Sequence, residues 1–120
     1  MEKPIVQYLI VNSDLNMGKG KIASQIGHCV NEITERIIIS AYESKKPPEY
    51  YSTYMKWKMH GSAKIVLKAS GEKLQELMKL DHCIPVYDAG KTQIEAGSLT
   101  CIGFYPSSEI GVLLKDLKLL

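Results

Sequence analysis

Ile5-Val6-Gln7-Tyr8-Leu9-Ile10-Val11, and the run after it, Asn12-Ser13-Asp14-Leu15-Asn16-Met17-Gly18-Lys19-Gly20-Lys21-Ile22-Ala23-Ser24-Gln25, decide how this chain is to be read. In the first run both alternating faces are mostly apolar, the pattern of a central strand covered on both sides. From Ile22 the period changes. Ile22, Ile26, Cys29, Ile33 and Ile37 recur at three- and four-residue steps and make one apolar stripe of a helix. Lys21, Gln25, His28 and Glu32 fall on an adjacent polar stripe. A strand therefore hands over to a helix through a turn carrying two glycines and two lysines. Unpaired backbone N–H groups and the positive end of the helix dipole gather at such a point, which suits an anion. The same residues also fit a flexible, solvated turn.

The rest of the chain alternates in kind. Residues 44–49, with Lys45-Lys46-Pro47-Pro48, form a loop too short to link domains. Tyr50 to Met59 reads as a helix ended by Gly61. Ala63 to Ala69 is a second strand, and Ser70 can cap a short helix that buries Leu74, Leu77 and Met78. Ile84 to Asp88 is a short strand whose Pro85 places it near an edge. Thr100 to Phe104 is a fourth strand. Beyond Pro106, Ser107 or Ser108 can cap a last helix with Ile110, Leu113, Leu114 and Leu117 on its apolar face. The order β-α-α-β-α-β-β-α predicts an α/β fold: a three-layer α/β/α sandwich around a four-stranded mixed sheet. The tight link between the third and fourth strands calls for an antiparallel pair. Sites in such sheets lie outside the C-terminal ends of strands. Two polar loops, 12–20 and 88–97, stand there.

At 120 residues the chain fits a single domain, 1–120. With 45% hydrophobic and 23% charged residues, disorder is excluded as its general state. A net charge of +2 does not by itself specify a nucleic-acid partner, although lysines cluster at Lys19/Lys21, Lys45/Lys46, Lys56/Lys58 and Lys115/Lys118. Cys29, Cys83 and Cys101 are odd in number and widely spaced, against a disulfide framework or structural zinc and in favour of a reducing compartment. His60 and His82 flank turns and share no ligand pattern, so no metal is expected. Neither a membrane-length apolar run nor a signal-peptide core is present, and a soluble cytoplasmic protein is expected.

The second dense polar cluster is Asp88-Ala89-Gly90-Lys91-Thr92-Gln93. Asp88 at a strand end can be held rigidly, with the Thr92 hydroxyl and Gln93 amide close by. The alternative is an Asx-type turn capped by Asp88. Gly18-Lys19-Gly20-Lys21 has neither phosphate-loop spacing nor the dinucleotide G-x-G-x-x-G pattern, which disfavours nucleotide hydrolysis and dinucleotide binding. No Ser/His/Asp or Cys/His arrangement is convincing.

Three segments together resemble the archaeal/eukaryotic-type (type 2) peptidyl-tRNA hydrolase family. They are Leu15-Asn16-Met17-Gly18-Lys19-Gly20-Lys21-Ile22-Ala23-Ser24-Gln25 with His28 after it, Asp88-Ala89-Gly90-Lys91-Thr92-Gln93-Ile94 with Ala96-Gly97 and Thr100, and the closing Leu117-Lys118-Leu119-Leu120. Lys91 stands where arginine is common, and residues 50–59 diverge. The resemblance implies a homodimer and hydrolysis of the ester between a peptide and the 3′-terminal ribose of tRNA, without metal or cofactor. By motif match it assigns Lys19, Asp88 and Thr92 to catalysis, and Gln25, His28, Lys21 and Thr100 to support or substrate binding. In that scheme Asp88 orients or activates water with Thr92, and Lys19 stabilises the oxyanion or holds the terminal phosphate. A non-catalytic RNA- or protein-binding module on the same fold is the competing reading.

Overall fold

The computed structural model describes residues 3–90 and 94–120. Its elements are β1 (Gln7–Asn12), α1 (Lys19–Glu43), α2 (Glu49–Met59), β2 (Lys64–Ala69), α3 (Gly71–Leu77), β3 (Cys83–Tyr87), β4 (Leu99–Phe104), α4 (Gly111–Leu114) and β5 (Lys118–Leu119). One mixed sheet has the order β3-β4-β1-β2-β5. β1 lies at its centre, parallel to β2 and antiparallel to β4, as its two-faced apolar pattern requires. β3 pairs antiparallel with β4 and forms the edge expected from Pro85.

The sheet has five strands, not four. The last helix was expected to extend to Leu117 with no strand after it, yet Lys118 and Leu119 pair with Lys68 and Leu67 of β2. The last helix is correspondingly one turn, Gly111–Leu114, and leaves Leu113 exposed. Its N-cap is Ile110 rather than a serine and has no side-chain cap; Ser107 closes the turn before it, its Oγ accepting from the N–H groups of Glu109 (2.9 Å) and Ile110 (3.1 Å). Ser70 does cap α3, accepting from the Lys73 N–H at 3.1 Å.

Alternation along β1 divides the core. Leu9 and Val11 pack with Cys29, Ile33 and Ile37 of α1 and Tyr54 and Trp57 of α2. Ile10 packs with Leu74 and Leu77 of α3 and Leu114 of α4. Each such side chain contributes about 1.5–3 kcal/mol on full burial. Gly103 in β4 permits the close seat of α1, since a Cβ there would lie 2.5 Å from Cys29 Sγ and 3.0 Å from Ile33. Helix α1 is thereby fixed against β4 along its buried stripe, with its N-terminus beside the C-terminal ends of β1 and β3.

Candidate active site

The two polar loops singled out above meet at one end of the sheet, beyond the C-terminal ends of β1 and β3. Asp88 follows β3 directly and Lys21 lies in the first turn of α1; the Lys21 ammonium donates to Asp88 Oδ1. Both side chains are withdrawn from solvent, at 9% and 2% exposure. The other carboxylate oxygen, Oδ2, accepts from the Gly90 N–H at 2.9 Å. The Asx-type turn and the ion pair are thus both present, one on each oxygen. Gly90 takes φ +82°, and its Cα faces Ala96 so closely that a Cβ would lie 2.5 Å from the Ala96 side chain. The loop closes further through Asp88 N–H to Ser98 O (2.8 Å) and Gly97 N–H to Asp88 O (2.9 Å).

These contacts set the charge state. The Lys21 hydrogen bond, with the backbone N–H groups of Gly90 and Ala89, holds the Asp88 carboxyl below the usual carboxylate range, against the opposing effect of burial. Asp88 is a carboxylate throughout the neutral range. It is a weak proton acceptor there, and its strength lies in fixed charge and fixed direction.

Behind the pair stands a buried polar contact. Thr100, fully buried in β4, lies with its Oγ1 2.9 Å from Gln25 Oε1 and 3.1 Å from the Val86 carbonyl, and its hydroxyl proton serves these acceptors. Gln25 sits one helical turn after Lys21 on the same face. It was expected on a polar stripe, yet it is only 6% exposed because it lies one turn before Cys29 on the buried line Gln25, Cys29, Ile33 and Ile37. Lys21, Gln25, Thr100 and Asp88 therefore come together, directly or through neighbouring backbone.

Lys19 and His28 do not join them by contact. Lys19 is exposed at the first position of α1, and His28 is exposed a turn beyond Gln25. Lys19 takes part in none of the ion pairs among the described residues. Thr92, assigned to catalysis by the resemblance, lies outside the described residues, as do Lys91 and Gln93. Gly18 caps α1 with extended backbone, no side-chain cap and no acidic residue in the first turn. The positive end of the helix dipole therefore lies beside the Asp88–Lys21 pair.

Asn12 was missed from the sequence. At the end of β1 and only 7% exposed, its Nδ2 donates to the Leu99 carbonyl (2.9 Å) and its Oδ1 accepts from the Asp14 N–H (2.9 Å). Asp14 Oδ2 in turn accepts from the Gly71 N–H at 2.8 Å. Asn12 thus ties the loop leading to Lys19 and Lys21 onto the strand that carries Thr100. The available signal was a polar residue terminating a strand buried on both faces.

The remaining reactive groups stand apart. Burial pushes the Cys83 thiol up to about 12, and hydrogen bonding to Cys101 together with burial pushes Cys29 higher still. All three cysteines are free. Among the described residues no three His, Cys, Asp or Glu side chains are grouped so as to hold a metal ion, and no helix is long and apolar enough to cross a membrane.

Known proteins resemble this chain over nearly its whole length. Residues 5–120 match the family described as Peptidyl-tRNA hydrolase PTH2. A peptidyl-tRNA hydrolase of Methanococcus vannielii is 40% identical over 126 residues, covering 95% of this chain and 97% of its own. Those of Saccharolobus islandicus and Sulfolobus acidocaldarius are each 38% identical, covering 93% of this chain and 96% and 97% of theirs. With one family spanning nearly every residue, both polar loops included, the chain belongs to the peptidyl-tRNA hydrolase PTH2 family.

Proposed function

We propose that the protein hydrolyses the ester between a peptide and the 3′-terminal ribose of tRNA, releasing free tRNA for further translation. The observation that carries this is the buried Lys21–Asp88 pair at the meeting of the two polar loops, in a chain matched to the PTH2 family over residues 5–120.

Ester hydrolysis needs an oriented water, a positive partner for the developing oxyanion and a proton for the leaving ribose oxygen. Asp88, ionised and held from three sides, orients the water. Thr92, four residues on, is assigned as its partner. Lys21 holds Asp88 in place and adds fixed positive charge. Lys19, exposed at the N-terminus of α1, meets the oxyanion or the terminal phosphate together with the helix dipole. Gln25 and Thr100 fix the first turn of α1 against β4, and His28 lies farther along the same helix where the substrate extends. Lysines around the site contact phosphates without reading sequence. The substrate is peptidyl-tRNA, and the setting is the cytoplasm. A homodimer fits the exposed Ile39, Tyr42, Met59, Val112 and Leu119. Core clusters on both faces of β1 support a three-layer α/β/α sandwich forming one functional domain.

The test is incubation with N-acetylated aminoacyl-tRNA and, in parallel, with free aminoacyl-tRNA. Selective release of the N-blocked amino acid is expected. Binding of tRNA with cleavage of neither substrate would replace the esterase by a binding module.

A further inference from the structure

At the end of β3 opposite Asp88, the start of α2, the start of β3 and residues 104–113 enclose an open groove of about 500 Å³. We propose that this groove binds an arginine-bearing peptide segment of a partner protein. The inference goes beyond the esterase reading and uses none of its residues.

The charges in the groove are of one sign. Glu49, Asp81 and Glu109 line it, and no lysine or arginine does, although the whole chain is net positive by two. All three carboxylates are exposed, and Glu49 and Asp81 enter none of the ion pairs among the described residues. Glu109 accepts from the Ser108 hydroxyl at 3.4 Å and has one ion-pair partner among the described residues, Lys3 at 3.7 Å, with side chains 76% and 64% exposed. A pair that long and that solvated is weak and readily exchanged for another cation. The groove therefore repels phosphate and favours a cationic group.

Its wall selects among cations. The His82 ring stacks on Tyr105 with centroids 4.7 Å apart and planes 10° from parallel. Tyr50 stands edge-on to both at 5.2 Å. These rings are fixed from behind: the Tyr50 and Ser40 hydroxyls are 2.6 Å apart, and the Tyr105 N–H donates to the His82 carbonyl at 3.1 Å. A preformed aromatic wall beside carboxylates suits a planar guanidinium, which stacks on rings and still donates to two oxygens; a compact ammonium gains less. Because the wall is already ordered, little freedom is lost on binding. The volume accommodates one or two side chains with the backbone between them. A short basic segment is the occupant that satisfies both rim and wall.

The test titrates the isotope-labelled full chain with a blocked Gly-Arg-Gly-Arg-Gly peptide, followed by amide NMR, with the citrulline version as control. Expected are shifts gathered on Tyr50, His82, Tyr105 and Ile110, and an affinity that falls with salt. Binding should be roughly tenfold weaker for the citrulline peptide and for the triple variant Glu49→Gln/Asp81→Asn/Glu109→Gln. The variant's amide dispersion reports its fold directly, and its turnover of N-acetylated aminoacyl-tRNA should match the wild type. Equal binding of arginine and citrulline peptides, or of wild type and variant, overturns the proposal. So does movement of the same resonances with protein concentration alone, which would make the groove a contact between copies. The readout is binding, so it stands or falls separately from the esterase.

Discussion

Where β1 and β3 end, Asp88 and Lys21 are packed to 2% and 9% side-chain exposure and held against each other. At the other end of β3 Glu49, Asp81 and Glu109 stand in solvent beside an aromatic wall. The same residue types thus have different consequences. A buried charge is held by its partner, so removing either member leaves the other uncompensated. An exposed carboxylate is stabilised by water and can be neutralised with little effect on the fold. The first arrangement gives a fixed field for chemistry, and the second a rim that can exchange one cation for another.

The largest expected effect is at Asp88. Asp88→Asn should lower turnover of N-acetylated aminoacyl-tRNA by roughly a thousandfold, with KM changed less than about twofold, because an oriented charge acts mainly on the transition state. Single-turnover release of the blocked amino acid measures it. Lys21→Met should cost about a hundredfold, within the range of one removed electrostatic contact, and should also shift the pH profile. In the wild type the depressed Asp88 pKa makes its folding contribution complete above the unfolded carboxyl's pKa. That contribution is lost as pH falls through the lower folded value. Removing Lys21 takes away the first cause of the depression, so the acid limb of both activity and stability should move upward. An unmoved limb would show that Lys21 does not set the charge at Asp88.

Smaller effects follow outward from the pair. Thr100→Val removes a buried hydrogen-bonding hydroxyl and should destabilise by about 1–3 kcal/mol in urea unfolding, with turnover falling about tenfold. Lys19→Ala should leave the fold intact and reduce the slope of log affinity for tRNA against log salt by about one contact. A normal slope would remove Lys19 from the phosphate-binding surface. Glu109→Gln, at the far end of the sheet, should change turnover less than about twofold, as surface substitutions do. A larger loss would mean that the two ends are coupled.

Much of this was legible because single patterns decide it. Apolar residues on both faces of 5–11 require a central strand, and β1 is one. Pro85 requires an edge, and β3 is one. The approach of residue 88 to the glycine–lysine turn follows from sites lying outside strand C-termini. What escaped was what depends on phase or on distant partners. Lys19 and Lys21 look alike in the motif, but Lys21 is four residues before Gln25, which is four before the buried Cys29, so that line runs into the core. Two residues of β5 cannot show a strand period. Their pairing with β2 exists only once β2 is in place. Asn12 read as turn material because its partner, Leu99, is 87 residues away.

The central claim is that Lys21 and Asp88 act as one unit at the reacting ester. A double-mutant cycle with Asp88→Asn, Lys21→Met and their combination, read as single-turnover release of an N-acetylated amino acid from tRNA, tests it most directly. Strong losses are expected in both single variants, with a double variant no more than about threefold slower than the worse of them, as for residues acting together. Losses that multiply, to roughly a hundred-thousandfold in the double variant, or single variants close to the wild-type rate, would contradict it.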